Sequence, residues 1–546
     1  MDRGNESLLS SPPPRDSYYR CRVLMVTLLS VATLLSVATF LLLLYPSTVN
    51  LCTNSPDAAS CHAIVSAAVL ASANAHRSQP AQVLRAILAR SLDQHDAAAA
   101  VVSGMHRRTG DPRQRAALSD CVQLMELARD RLSDAPDTAP VARNDARTWL
   151  SAVLTDHVTC LDGLNDEPLR DAVGAHLEPL KSLASASLAV LNAVDSGDDA
   201  RDETLAQVVA DKFPSWVPTR DRSLLVEGAR AVQADVVVAK DGRGRYKTVK
   251  EAVDAAPDGG KSRYVIYVKK GVYKENVEVG KKKRELMIVG DGMDATVITG
   301  SRNVVDGSTT FNSATLAVAG DGIILQDLRI ENTAGPEKHQ AVALRVSADR
   351  AVVSRCRLDG YQDTLYAHQL RQFYRGCAVS GTVDFVFGNA AAVLQRCVLT
   401  ARLPMRGQKN AVTAQGRTDP NQSTGTSMQR CRVVPAADLA PVAQASPTYL
   451  GRPWKAYSRT VYMQSYLDGH VHPRGWLEWD GDFALGTLFY GEYQNEGPGA
   501  GTAGRVRWPG YRVITDRSVA ARFTVGQFIQ GAYWLNATGV AYDEGL

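Results

Sequence analysis

The chain lacks the spacings that hold a metal. None of its nine cysteines forms a C-x-x-C pair, and its ten histidines include no H-E-x-x-H run, so no zinc site or other metal centre is expected. Long low-complexity tracts are missing too, and 45% hydrophobic with 22% charged residues is a globular composition. A net charge of +4 is almost no imbalance for 546 residues. That length exceeds one ordinary domain, so two or more cores are expected.

The charge is unevenly divided. From Val226 onward there are 40 Lys and Arg against 31 Asp and Glu, whereas the preceding part has 21 against 26. A basic body behind an acidic one suggests a polyanionic partner, nucleic acid or acidic polysaccharide, and charge alone does not choose. One long uncharged run is present, VLMVTLLSVATLLSVATFLLLLY at 23–45, preceded by Arg20 and Arg22. Its length suits a bilayer of about 30 Å, and no clear A-x-A site follows. A signal anchor with a cytosolic 1–22 is expected, with an atypical cleaved signal as the alternative; the rest enters an oxidising lumen. Cys21 lies at the membrane edge. The other eight cysteines, 52, 61, 121, 160, 356, 377, 397 and 431, form an even set suited to disulfides. Asn421 and Asn536 head lumenal glycosylation sequons, while Asn5 would face the cytosol and stay bare.

Residues 51–200 are rich in Ala and Leu with helical periodicity, as in PAQVLRAILARSL and ALSDCVQLMELARDRL. Helices of that length between Pro, Gly and Asp signals predict an all-α four-helix bundle. Residues 201–233 lose the periodicity and carry DSGDDARDE in part, then FPSWVPTRDRSLL, a linker with Arg220 and Arg222 as a candidate processing site. From 234 to 546 short β-rich runs take over. Three share a frame: VVSRCRLDGYQDTLY, FYRGCAVSGTVDFVF and VLQRCVLTA, and SMQRCRVV repeats it around Cys431.

Cysteines 356, 377 and 397 recur at a period near 20, which suits the coils of a right-handed parallel β-helix better than a β-sandwich. Equivalent positions then stack at about 4.8 Å, which makes Cys356–Cys377 and Cys397–Cys431 disulfide candidates. Asp363 and Asp384 each follow a framed cysteine by seven residues. They should therefore stack one coil apart. Two such carboxylates split their pKa values, one staying an anion and the other keeping its proton.

GTVDFVFG (381–388), GYQDTLY (360–366), HQAVALR (339–345), GVYKE (271–275) and LGRPW (450–454) together resemble the signature blocks of plant pectin methylesterases. The resemblance runs from about Ala234 through TAQGRTDPNQ and FYGEYQN. Residues 51–200 resemble the pectin methylesterase inhibitor domain that many such enzymes carry as a pro-region, which implies Cys52–Cys61 and Cys121–Cys160 disulfides. The resemblance implies hydrolysis of galacturonate methyl esters in pectin, with no cofactor. Asp384 would be the nucleophile and Asp363 the proton donor, then base. Gln362 and Gln340 would serve the oxyanion, and Arg452 would orient Asp384 and keep it ionised. Thr310, Phe311, Tyr366, Phe387 and Trp454 would contact the sugar, with Gln340 and Arg452, and Val383 and Phe385 would wall off water.

Adjacent-coil stacking is tighter than the roughly 6.5–9.5 Å an inverting polygalacturonase needs. A lyase would want a calcium-binding carboxylate cluster, which is not evident near 363 or 384. A degenerate, non-catalytic inhibitor or wall-binding protein is the remaining alternative. The helical domain is expected to silence the enzyme until a protease cuts near 220–226, although Arg220-Asp221-Arg222-Ser223-Leu224-Leu225 departs from the family's tighter basic-basic-Leu-Leu signal. The destination is the cell wall through the secretory pathway, with pectin and not nucleic acid as partner.

Overall fold

The computed structural model describes residues 51–71, 80–135, 140–195 and 233–546, with Met25, Thr33 and Ser36. The expected anchor at 23–45, the linker with Arg220 and Arg222, Asn5 and Cys21 lie outside these residues but for Met25, Thr33, Ser36 and Gln233. Among the described residues no helix is long and apolar enough to cross a membrane.

The first body is helical: α1 (Ala58–Ala71), α2 (Pro80–Arg108), α3 (Pro112–Asp134), α4 (Pro140–Asp162) and α5 (Glu167–Asp195). The four long helices each pack on two others, α2 and α4 both touching α3 and α5. In α2 the buried positions Val83, Leu84, Ile87, Leu88, Ser91 and His95 recur at the three- and four-residue spacing that makes one inward stripe. The start of α3 is written locally. Pro112 occupies its first turn, and the Asp111 carboxylate accepts from the amides of Arg113 and Gln114 at 2.8 and 2.9 Å. Disulfides Cys52–Cys61 and Cys121–Cys160 staple the body, the second tying α3 to α4.

The second body is a parallel β-helix. Its strands form three sheets of 11, 7 and 8, every pairing is parallel, and successive coils add one strand to each sheet. Between the 11- and 8-stranded sheets each coil turns a corner at one left-handed residue: Asp327, Arg355, Gly376, Arg396, Arg430 and Gln464, with φ between 49° and 59°. The next residue points inward and stacks in the core as Leu328, Cys356, Cys377, Cys397 and Cys431. On the outer face of the 11-stranded sheet Val352, Phe373 and Val393 are covered by C-terminal Phe523, Phe528 and Trp534. The tail ends in a staple. The Asp543 carboxylate meets Arg375, Arg396 and Arg430 of three successive coils at 3.2, 2.9 and 3.1 Å.

Two expectations fail here. Cys356, Cys377, Cys397 and Cys431 are free, buried thiols, so neither Cys356–Cys377 nor Cys397–Cys431 forms. In a parallel in-register stack the side chains run side by side at the strand spacing of about 4.8 Å, wider than the roughly 3.5–4.5 Å between Cβ atoms in a disulfide. Their sulfurs face carbonyls instead, Cys377 Sγ to Val353 O at 3.3 Å and Cys431 Sγ to Leu394 O at 3.2 Å. The period marks the corner, where the residue after the left-handed turn is buried inward. The second failure is Asn421 as a glycan acceptor. It is 5% exposed, its Nδ2 donates to Asn54 O at 3.0 Å and Asp419 Oδ1 at 3.1 Å, and the docked helical body leaves no room for a sugar. Asn536 is exposed.

Candidate active site

The seven-stranded sheet carries the site on its outer face. In-register partners there form one ladder, Glu278, Ala317, Arg345, Tyr366, Phe387, Ala414 and Arg452, one per coil. Side chains alternate across a strand, so this row faces out while Leu344, Leu365 and Val386 beside it face the core. Tyr366 and Phe387 stack with centroids 4.2 Å apart, and Trp454 meets Phe387 edge-on at 6.0 Å. The Arg345 guanidinium lies 3.4 Å above the Phe311 ring.

Leu365 pairs with Val386, and Asp363 and Asp384 each stand two residues before those partners, in equivalent positions of adjacent coils. Both backbones are left-handed, φ 63° and 54°. Aspartate tolerates that conformation better than most residues, and non-glycine left-handed residues concentrate at functional sites. The closing Gly388 (φ 125°) is required by space as well, since a Cβ there would stand 2.0 Å from the Ala367 carbonyl oxygen.

Arg452 grips Asp384 in a bidentate pair, Nε to Oδ1 at 2.8 Å and Nη2 to Oδ2 at 2.6 Å. The two aspartates are 7% and 5% exposed. Burial pushes both carboxyls up. At Asp363 the charge of Asp384 adds to burial and drives its pKa well above the carboxylate range; at Asp384 the Arg452 pair opposes burial. The corner thus sets a carboxyl biased toward its protonated form beside one that Arg452 biases toward the anion. Gln340, Gln362, Thr310, Phe311, Tyr366, Phe387 and Trp454 share with them a cavity of about 670 Å³. Phe385 departs from its expected role: it points into the β-helix core, not over Asp384.

Sequence reasoning missed Trp479, which also lines the cavity and stacks on Arg452 at 4.3 Å. Its WLEWDGD context signals only an exposed aromatic on a loop. It also missed the cavity's other wall, Gln114, Asp120, Asp162 and Asn165 of the helical body. The helical body presses on the aromatic ladder: Phe311, Tyr366, Phe387 and Ala414 belong to one buried apolar cluster with its core. Polar ties surround that seal. Asp120 accepts from Thr309 and Asn312, Thr159 Oγ1 bonds His368 Nε2 at 3.0 Å, Lys455 meets Asp162 at 2.7 Å, and Arg131 clasps Asp321 at 2.9 and 2.6 Å.

Residues 235–532 match the Pectinesterase family, and residues 47–190 match the Plant invertase/pectin methylesterase inhibitor family. Pectinesterase 2.2 of Solanum lycopersicum is 54% identical over 501 residues, 91% of this chain and 90% of the relative. Pectinesterase/pectinesterase inhibitor 18 of Arabidopsis thaliana is 47% identical over all of both chains. The solved pectin methylesterase from carrot is 58% identical with a TM-score of 0.57, covering 58% of this chain and 99% of that one. With its β-helix, its paired aspartates and these relatives, the chain belongs to the pectinesterase family of carboxylic ester hydrolases, and it carries an inhibitor-family domain in front.

Proposed function

We propose that Asp384 is the nucleophile that removes methyl groups from esterified galacturonate in pectin. A carboxylate oxygen of Asp384 bonds to the ester carbonyl carbon, and the carbonyl electron pair moves to oxygen. Gln362 and Gln340, whose amides line the cavity, donate to that oxyanion. The intermediate collapses by breaking the C–O bond to methoxide, which takes the Asp363 proton and leaves as methanol. The resulting Asp363 carboxylate accepts a proton from water, and the hydroxide attacks the acyl carbon. Asp384 departs as carboxylate, leaving a free galacturonate. Arg452 holds the Asp384 carboxylate before it attacks and again after it departs, and the sugar lies on Phe311, Tyr366, Phe387 and Trp454 with Thr310 at the edge. The observation that carries this reading is the bidentate Arg452–Asp384 pair beside an acid kept protonated. It is tested by incubating methylated pectin with the 226–546 fragment, free of the helical body: methanol should appear one for one with acid, without shortening of the polymer. Chain scission without methanol would overturn it.

The helical body, residues 51–200, acts as an intramolecular inhibitor. The burial of Phe311, Tyr366 and Phe387 to 4%, 3% and 6% exposure under it supports this. The uncharged run at 23–45 supports entry into the secretory pathway as a membrane-held precursor, with glycosylation at Asn536. Cleavage near 220–226 would deliver residues 234–546 to the cell wall.

A further inference from the structure

Arginines buried elsewhere in the molecule are paired. Arg131, Arg371 and Arg505 each meet one carboxylate with two nitrogens, on Asp321, Asp349 and Glu492. Arg345 is the contrast. It is 1% exposed, its Nη1 donates to Ser347 Oγ at 3.3 Å, and its Nε has no partner. Among the described residues no carboxylate comes into ion-pair contact with it. A guanidinium buried that way costs free energy unless an anion completes it.

Arg345 stands on the outer ladder one coil before Tyr366 and two before Phe387. At one strand spacing per coil that is roughly 10 Å from the coil of Asp384, which places it against a neighbouring sugar and not against the reacting ester. Its guanidinium rests on the Phe311 ring at 3.4 Å, and Phe311 lines the cavity shared with both aspartates. Burial lowers its pKa to about 10, opposed by Glu278, Asp120, Tyr366 and Asp156. Two of these four belong to the helical body, Asp120 on α3 and Asp156 on α4. The bundle thus brings two carboxyls to the ladder's unpaired guanidinium. From this geometry we infer that Arg345 is a specificity-determining residue: once the bundle has left, it holds a free galacturonate carboxylate of the same pectin chain, beside the methyl ester being hydrolysed. Asp120 and Asp156 occupy that ground in the docked chain. The inference rests on the esterase reading above and deepens it by making an acidic unit part of the substrate.

The test uses the 226–546 fragment, since the solved carrot relative folds at the size of 58% of this chain. Methanol release is compared on half-methylated and on fully methylated pectin, with and without Arg345→Gln. On the half-methylated polymer the substitution should raise KM about tenfold, as loss of one charge-assisted contact does, with kcat within about twofold. On the fully methylated polymer both constants should stay within about twofold of the parent. A residue that only supports the fold would shift both substrates alike, so an equal rise on both would overturn the inference, as would no rise on either. Methanol from neither substrate by the unaltered fragment would overturn the esterase reading instead. Should the variant not fold, chemical protection of the unaltered fragment decides. Phenylglyoxal modification of Arg345, read by peptide mass spectrometry, should be blocked by trigalacturonate at about tenfold lower concentration than by its trimethyl ester. Equal protection by acid and ester, or protection by neither, would overturn the inference.

Discussion

Two buried aspartates in the β-helix are gripped by arginine in the same bidentate way, and only one of them, Asp384, faces a cavity beside a second carboxyl. Asp349 takes Arg371 Nε at 3.0 Å and Nη2 at 2.7 Å, close to the distances in the Asp384–Arg452 pair. Arg371, with Arg131 and Arg350 near, holds that carboxyl well below the usual range despite full burial, and Asp349 also accepts from the amides of Arg350 and Arg371 at 3.0 and 3.2 Å. Asp384 has Arg452 and a neighbouring carboxyl one coil away, and its pKa is raised. An arginine pair alone does not set the role of a buried carboxylate. Backbone amides complete the structural one; the acidic neighbour and the open cavity set the other apart and support its proposal as the nucleophile.

The contrast can be broken from either side. Asp384→Asn should lower methanol release by about 10⁴-fold or more, as loss of a nucleophile does, while leaving the unfolding midpoint near that of the parent. Asp349→Asn should do the reverse. It leaves Arg371 with only the partly exposed Asp145, costs about 3–5 kcal/mol in urea unfolding, and keeps kcat within a few-fold. Arg452→Gln should cut kcat about 100-fold. With the guanidinium gone, burial at Asp384 is unopposed, so the acid limb of the pH–rate profile must move to higher pH. An unmoved limb would sink the assignment.

Two smaller effects sharpen the comparison through protons. Asp120, buried against Thr309 and Asn312 with Arg345 and Glu278 nearby, is pushed up to about 7 when the bundle is docked. Docking therefore takes up a proton, and it should weaken as pH rises from about 4 to 7, by up to about tenfold per unit. Asp120→Asn should flatten that dependence in a docking assay read by polymer turnover. Asp363 is the mildest case. Because the fold keeps it protonated, its stabilising contribution is complete below the ordinary carboxyl range near pH 4 and is lost as pH rises. Asp363→Asn should be more stable than the parent at pH 7 and equal to it near pH 3, a difference of a few degrees in Tm.

The site was legible in the sequence wherever spacing and coil geometry coincide. Seven residues from a framed cysteine to an aspartate, twice, is a statement about the coil, and the coils put Asp363 and Asp384 in equivalent places. The same frame misled about sulfur. A recurring Cys after Arg or Gly marks an inward residue behind a left-handed corner, and only the lateral distance between coils shows that no bond forms. Trp479, Asp120 and the burial of Asn421 were not legible, because each depends on how two distant stretches of chain dock, and no local pattern encodes that.

Asp543 deserves a mechanical reading. A stack of parallel coils, each touching only its neighbours, loses its end coil first under load or heat, and each loss exposes the next. One tail carboxylate tied to three consecutive coils couples them, so that the last turns should come away as a block and not singly. The chain's final residues thereby set the size of the smallest piece in which this solenoid frays.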